Sequence, residues 1–170
     1  MDTGVLASVL DDVLSYGGDY RIDRLDVGRA HSDESYARIV VSADDDDALQ
    51  RLLMRLQAHG VNQVDPVEAL LREVDRDGVF PEDFYSTTNL ETLVRLDRDW
   101  LRVEHPEMDC GLVVTDGPVV RTVPVSDVRA GDAVVCGAHG VRVELPPERS
   151  AAAPVGSALW GAHEGFSSLR

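Results

Sequence analysis

Two stretches of the chain repeat apolar residues at helical spacing, and many others alternate them. Val5, Leu6, Val9, Leu10, Val13 and Leu14 follow the helical period and predict one buried face. Asp2 or Thr3 caps the start of this helix, and Gly17-Gly18 ends it through a left-handed residue. Leu49, Leu52, Leu53 and Leu56 mark a second helix, closed by His59-Gly60. Ser42 and Asp44 to Asp47 precede it. An acidic first turn complements the helix dipole, whereas a calcium loop needs spaced ligands and a glycine turn. Tyr20 to Val27 and Tyr36 to Ala43 read as strands joined by a polar loop, Gly28 to Glu34. In the second strand Ala37, Ile39 and Val41 share one face, and Tyr36, Arg38 and Val40 the other. Val61 to Val64 reads as a short strand. The order helix, strand, strand, helix, strand is that of a ferredoxin-like α/β sandwich whose first strand is missing.

Residues 66–76 are ambiguous: PVEALLREV favours helix by propensity, with a strand paired to the sheet as the alternative. Asp77-Gly78 and Pro81 mark a break. Beyond it come short apolar segments, Leu93 to Leu96, Trp100 to Val103, Gly111 to Thr115, Val119 to Val123, Ala133 to Cys136 and Val141 to Leu145. Polar turns such as Asp97-Arg98-Asp99 and Ala130-Gly131-Asp132 separate them. That spacing predicts a small β-barrel or β-sandwich. From Pro146 the chain reads as a linker, PPERSAAAPVGS, ending in a tail that docks through Trp160 and Phe166. The expected fold is therefore α+β, with a ferredoxin-like subdomain over 1–76, a small β subdomain over 77–148, and a linker and tail over 149–170.

Composition narrows the class of ligand. Against 31 acidic side chains stand 16 basic ones, all arginine, for a net charge of −15. A GC-rich coding sequence or a salt-adapted proteome both account for the absence of lysine. With no basic stripe, a nucleic acid is not an expected partner. No apolar run approaches the ~18 residues of a membrane span. The acidic N-terminus lacks the basic region of a signal peptide, so a cytoplasmic protein with reduced Cys110 and Cys136 is expected.

One stretch carries more polar chemistry than a soluble domain needs. Tyr85-Ser86-Thr87-Thr88-Asn89 places four hydroxyls and a carboxamide in consecutive positions. Some twenty residues later, Glu107-Met108-Asp109-Cys110 leads two carboxylates and a thiol into an apolar run. No metal-ligand spacing and no phosphate loop surrounds them. Ser86, Thr87, Thr88 and Asn89 are candidates for holding a substrate carboxylate, Asn89 foremost and with Tyr85 beside them, or else the run from Ser86 to Asn89 caps a turn through its own backbone. Arg38 beside Tyr36 is a candidate carboxylate clamp, or a surface ion pair. Glu107 and Asp109, alternating on a strand, are candidates to meet substrate amines or an arginine of a partner, or form a solvated edge. Cys110 is a candidate nucleophile or a small buried hydrophobe. His105 is the only histidine near this stretch and a candidate proton shuttle. His31 and His59 read as structural or solvent-facing.

The segments GRAHSDESYARIVVSADD, FPEDFYSTTNLETLVR, WLRVEHPEMDCGLVV and GDAVVCGAHGVRVELPPER resemble the LOR/SDH conserved region over roughly residues 2–148. That region is named for its likeness to lysine-ketoglutarate reductase/saccharopine dehydrogenase. It forms the N-terminal part of archaeal-type ornithine cyclodeaminases and recurs in the C-terminal half of arginine dihydrolase fusions. The resemblance implies participation in converting ornithine to proline and ammonia, a lyase reaction in which bound NAD takes a hydride and returns it. Family members carry a strand before the first helix and continue into a Rossmann-type NAD domain; Met1 falls about where that strand should end, so the expectation is either a late-called start or a missing edge strand. Here there is no Gly-x-Gly-x-x-Gly. The expectation is a substrate-side domain that binds no cofactor itself and works with an NAD-binding partner subunit. The alternatives are an amino-acid-binding or regulatory module, with a homo-oligomer as its expected assembly, and a structural domain without catalysis.

Overall fold

The computed structural model describes residues 3–29, 35–64, 67–115, 117, 119–146 and 164–169. It divides into two compact units, residues 1–65 with 145–170, and residues 66–144. The class is α+β, with two helices and several antiparallel sheets.

In the first unit, α1 (Thr3–Ser15) leads into β1 (Asp19–Asp26) and β2 (Tyr36–Ser42), followed by α2 (Asp46–Gln57) and β3 (Asn62–Gln63). Asp45 is the N-cap of α2, its carboxylate accepting from the Ala48 amide at 2.7 Å, and Asp46 and Asp47 sit in the first turn. Val9, Val13, Ala37, Ile39, Val41, Leu49, Leu52, Leu53 and Leu56 are buried. Leu14, expected on the buried face, is 56% exposed. Val9 and Val13 lie four residues apart and face inward, and Leu14 points about 100° further round the helix.

The sheet order is β1-β2-β11-β3, where β11 is Glu164–Leu169. The slot a ferredoxin-like first strand would fill, between β2 and β3, is taken by this late segment, antiparallel to both neighbours. Phe166 thus belongs to a central strand, while His31 and Trp160 lie outside the described residues.

The second unit contains β4 (Leu70–Glu73), β5 (Glu91–Leu96), β6 (Asp99–Arg102), β7 (Gly111–Thr115), β8 (Val119–Val123), β9 (Ala133–Cys136) and β10 (Val141–Glu144). The ambiguous stretch resolves as a strand because β4 pairs antiparallel with β9, Leu70 opposite Cys136. Two open antiparallel sheets result, β10-β5-β6 and β4-β9-β7-β8, and neither closes into a barrel among the described residues. Val74, Val113, Val123, Val128, Val134 and Cys136 form a core against which Phe80 and Phe84 pack.

Asp12 ties α1 to α2. Its Oδ2 lies 2.8 Å from His59 Nε2 and 3.1 Å from Arg55 Nε. Burial opposes ionisation of Asp12, but the His59 hydrogen bond and the Arg55 and His59 charges outweigh it and hold the carboxyl below its ordinary range. A depressed carboxylate pKa contributes stability above the unfolded value and loses it as pH falls through the folded one. Asp12→Asn is therefore expected to lower stability at pH 6, with the difference from the natural chain shrinking below pH ~4, where the unfolded carboxylate protonates. Denaturant titrations across pH read this directly.

Gly140 has φ +63°, and an added Cβ would fall 2.2 Å from the Ala69 amide nitrogen. Gly131 has φ +91° but open space around it. Gly140→Ala is expected to cost about 2–4 kcal/mol, through clash as well as strain, and Gly131→Ala about 1 kcal/mol. Equal losses in chemical unfolding would contradict the close approach.

Candidate functional site

The polar stretch and the acidic stretch are held together by one side chain, Thr87. Upstream, Pro81 and the turn around it bring the chain back along β9, where Phe84 bridges Cys136 and the Tyr85 amide donates to Val135 O at 2.9 Å. Ser86 then bridges Gly111 on β7. The Thr87 amide donates to Cys110 O at 2.9 Å, and Thr87 O accepts from the Asp109 amide at 3.1 Å. The Thr87 hydroxyl accepts from the Cys110 amide at 3.0 Å and stands 2.5 Å from Glu107 O and 3.1 Å from Cys110 O. It has one proton to give, and Cys110 O already accepts from the Thr87 amide, so Glu107 O takes it.

Alternation decides which side chains reach solvent. Tyr85 and Thr87 point inward, fully buried and 5% exposed, while Ser86 and Asn89 are exposed and Thr88 is half-buried. The Tyr85 hydroxyl has no hydrogen-bond partner among the described residues, and burial drives its pKa well above the ordinary phenol value. Thr88 Oγ1 accepts from the Leu90 amide at 3.2 Å, a local turn. The carboxamide of Asn89 has no hydrogen-bond partner among the described residues.

Glu107 and Asp109 do not lie on a strand, as the alternation suggested. They sit in an exposed turn before β7, and Asp109 has φ +57°. The reason is the Thr87 clasp, which draws Glu107 O and the Asp109 amide inward and turns the backbone there. Cys110 is buried, and its pKa is raised by burial and then by the charges of Glu107 and Asp109. Its surroundings thus favour the thiol over the nucleophilic thiolate. His105 is exposed with φ +51°, and its carbonyl accepts from the Thr122 hydroxyl at 2.5 Å.

Arg38 belongs to the first unit, apart from these residues in the chain's division. There its Nε donates to the Tyr36 hydroxyl at 3.3 Å, and its Nη1 stands 4.0 Å from Asp23.

A feature not read from the sequence is an open cleft of about 680 Å³, whose walls include Arg72, Asp75, Arg76, Phe80, Glu82 and Asp83. Arg72 Nη2 and Asp83 Oδ2 are 3.0 Å apart. The buried Cys136 thiol donates to Val134 O at 3.7 Å, with the Asp83 carboxylate close enough to act on its charge. Burial first, and then Asp83, push that thiol up to about 12. Phe80 stacks on Phe84 at 4.6 Å and covers Gly111, where an added Cβ would meet the ring at 2.5 Å. The cleft wall therefore rests on the strand that Ser86 bridges. The sequence grouped Thr87 with Ser86, Thr88 and Asn89 as a substrate contact or turn cap, whereas the structure turns it inward, and the alternation of Tyr85 and Thr87 is the signal that could have found it. The cleft has no comparable signal, since Arg72 and Asp83 meet only when β4 pairs with β9.

Thr87→Ser keeps the hydroxyl and is expected to cost little beyond its lost methyl, under about 1.5 kcal/mol. Thr87→Val keeps the shape but leaves the Cys110 amide and Glu107 carbonyl without their partner, at about 1–3 kcal/mol each if they stay buried. Unfolding of both variants, with hydrogen exchange at the Cys110 amide, separates the two effects. An unchanged Thr87→Val midpoint would remove the clasp from the account.

Residues 91–156 match the family described as arginine dihydrolase ArgZ-like, C-terminal, first region. An ornithine cyclodeaminase of Methanothermobacter thermautotrophicus is 39% identical over 150 residues, 88% of this chain and 36% of that protein. One from Methanopyrus kandleri is 40% identical over 152 residues, again 88% of this chain and 36% of that protein. The chain thus spans little more than a third of the length of these relatives. The solved ternary complex of AgrE with ornithine and NAD+ is similar with a TM-score of 0.79 at 28% identity, covering 87% of this chain and 22% of that one. A bifunctional arginine dihydrolase/ornithine cyclodeaminase named AgrE, from Nostoc sp., is 29% identical over 147 residues. Residues 1–90 match the family described as the LOR/SDH bifunctional enzyme conserved region, so more than half of the sequence carries the family's pattern, and the chain belongs to the LOR/SDH conserved-region family.

Proposed function

We propose that this chain is the substrate-side part of an ornithine cyclodeaminase-like system, acting with a separate NAD-binding chain to turn ornithine into proline and ammonia. The observation that carries this reading is the 39% identity to an ornithine cyclodeaminase across 88% of the chain. The chemistry of the second unit supports it. A diamino acid carries one carboxylate and two ammonium groups. The cleft offers the guanidinium groups of Arg72 and Arg76 to the first, and the carboxylates of Asp75, Glu82 and Asp83 to the others. On the nearby rim, Ser86, Thr88 and Asn89 are the side chains to hold a substrate carboxylate, with Tyr85 supporting them from beneath. Glu107 and Asp109 are exposed and suited to an amine or to a partner's arginine. Cys110 serves packing.

The residues present do not fit a dinucleotide. A pyrophosphate seeks a glycine-rich turn at a helix N-terminus. α2 begins instead with Asp45, Asp46 and Asp47, whose charges repel phosphate, and the Asp45 carboxylate already occupies the Ala48 amide. The NAD of this proposal therefore belongs to the partner, and no hydride step is assigned to these residues.

A tagged chain recovered from its own host tests the reading, with bound proteins identified by mass spectrometry. The expected result is a stoichiometric NAD-binding protein which, mixed with this chain and ornithine, releases ammonia. Asn89→Ala and Arg76→Ala are then expected to slow that release about tenfold or more each, as lost contacts to a charged group. A chain that returns alone, or a mixture that releases no ammonia, would overturn the split system. Saturable ornithine binding by the lone chain would then favour an amino-acid-binding module.

A further inference from the structure

The edge strand β1 has an unusual internal symmetry. β1 pairs with β2 on one side, and its other side carries no strand among the described residues. Ile22, Leu25 and Val27 are 41%, 44% and 66% exposed, apolar side chains at an open backbone edge. Edge strands of this kind template pairing with another strand.

The order of side chains along it is complementary to its own reverse. Taken inward, Tyr20 corresponds to Val27, Arg21 to Asp26, Ile22 to Leu25, and Asp23 to Arg24. Two correspondences are apolar with apolar, and two are opposite charges. Placed antiparallel against itself, the strand makes each of these pairs twice about a two-fold axis between residues 23 and 24.

In a regular strand this register would fail. Residues 20 and 27 differ by an odd number, so their side chains would point to opposite faces. A bulge removes the obstacle. Ile22 pairs with Ile39 and Arg24 with Arg38, leaving Asp23 as the extra residue, which resets the alternation. Tyr20, Ile22 and Leu25 stand opposite Val41, Ile39 and Ala37, and so share the helix-covered face, with Val27 following by alternation. Arg21, Arg24 and Asp26 stand opposite Val40, Arg38 and Tyr36, on the other face. Asp23 Oδ1 lies 3.6 Å from Arg21 Nη1, and Oδ2 lies 4.0 Å from Arg38 Nη1, placing its carboxylate with the latter group. Both the chemistry and the facing are therefore two-fold symmetric about the bulge.

We infer that β1 is a homodimerisation edge, occupied by β1 of a second copy of this chain in the antiparallel register that pairs residue i with residue 47 − i. The two four-stranded sheets then continue as one, through an isologous contact. The charges that would repel an unrelated strand are complementary only to this sequence in this register, which gives the edge its selectivity.

Sedimentation equilibrium of the full chain tests this. The expected result is a dimer. Arg21→Asp faces the partner's Asp26, and Asp26→Arg faces the partner's Arg21. Each is expected to weaken dimerisation about tenfold, since the symmetry doubles every cross-strand effect. The combined variant restores opposite charges and is expected to return to within about threefold of the natural chain. Val27→Asp lies beyond the last pair with β2 and is expected to weaken the dimer while leaving the circular dichroism spectrum unchanged. A monomer at every concentration up to about 100 μM, a dimer indifferent to the single reversals, or a combined variant no better than either single one would each overturn the inference.

Discussion

The hydroxyl of Thr87 is the interaction on which the site's geometry depends. Through it and the Thr87 backbone, the segment after Tyr85 is bound to the Glu107–Cys110 turn by four hydrogen-bonding groups. Two stretches separated by some twenty residues become adjacent, and their side chains are sorted by alternation. Ser86 and Asn89 go outward, and Tyr85 goes into the core. Asp109 accepts a left-handed backbone because its amide is spent on Thr87 O.

That sorting also fixes the electrostatics. Cys110 is a candidate nucleophile by sequence, entering an apolar run behind Glu107 and Asp109. Carboxylates oppose the thiolate, however, and burial opposes it further, so its thiol and that of Cys136 are held protonated. What reaches solvent in this stretch is the Ser86 hydroxyl, the Asn89 carboxamide and the charges of Glu107 and Asp109.

The first unit obeys a different constraint, the need of every strand for neighbours. The place between β2 and β3 is filled by β11, from the far end of the sequence, so a segment that read as a tail is a central strand. At the opposite side β1 remains at the edge, and there the bulge at Asp23 aligns apolar side chains to one face and charged ones to the other. One sheet thus contains both a strand brought from sequentially distant residues and an edge suited to a second copy.

The sequence by itself determined the elements whose side chains repeat with a clear period. Both helices, β1, β2 and the six short strands from β5 to β10 fall where alternation or helical spacing put them, because that period is set by local backbone geometry. The quoted segments also carried the family, since residues around FYSTTN and EMDC are specific in type and separation. Tertiary structure alone decided the rest. Within the ambiguous stretch, Leu70–Glu73 became a strand because β9 offered an edge from Ala133 to Cys136. Glu107 and Asp109 left the strand geometry their alternation suggested because Thr87 competes for their backbone. Arg72 and Asp83, eleven positions apart, form a cleft wall only once β4 is in place. Local periodicity records which face a side chain takes, but the partner across that face is chosen by long-range pairing, which no short stretch of sequence contains.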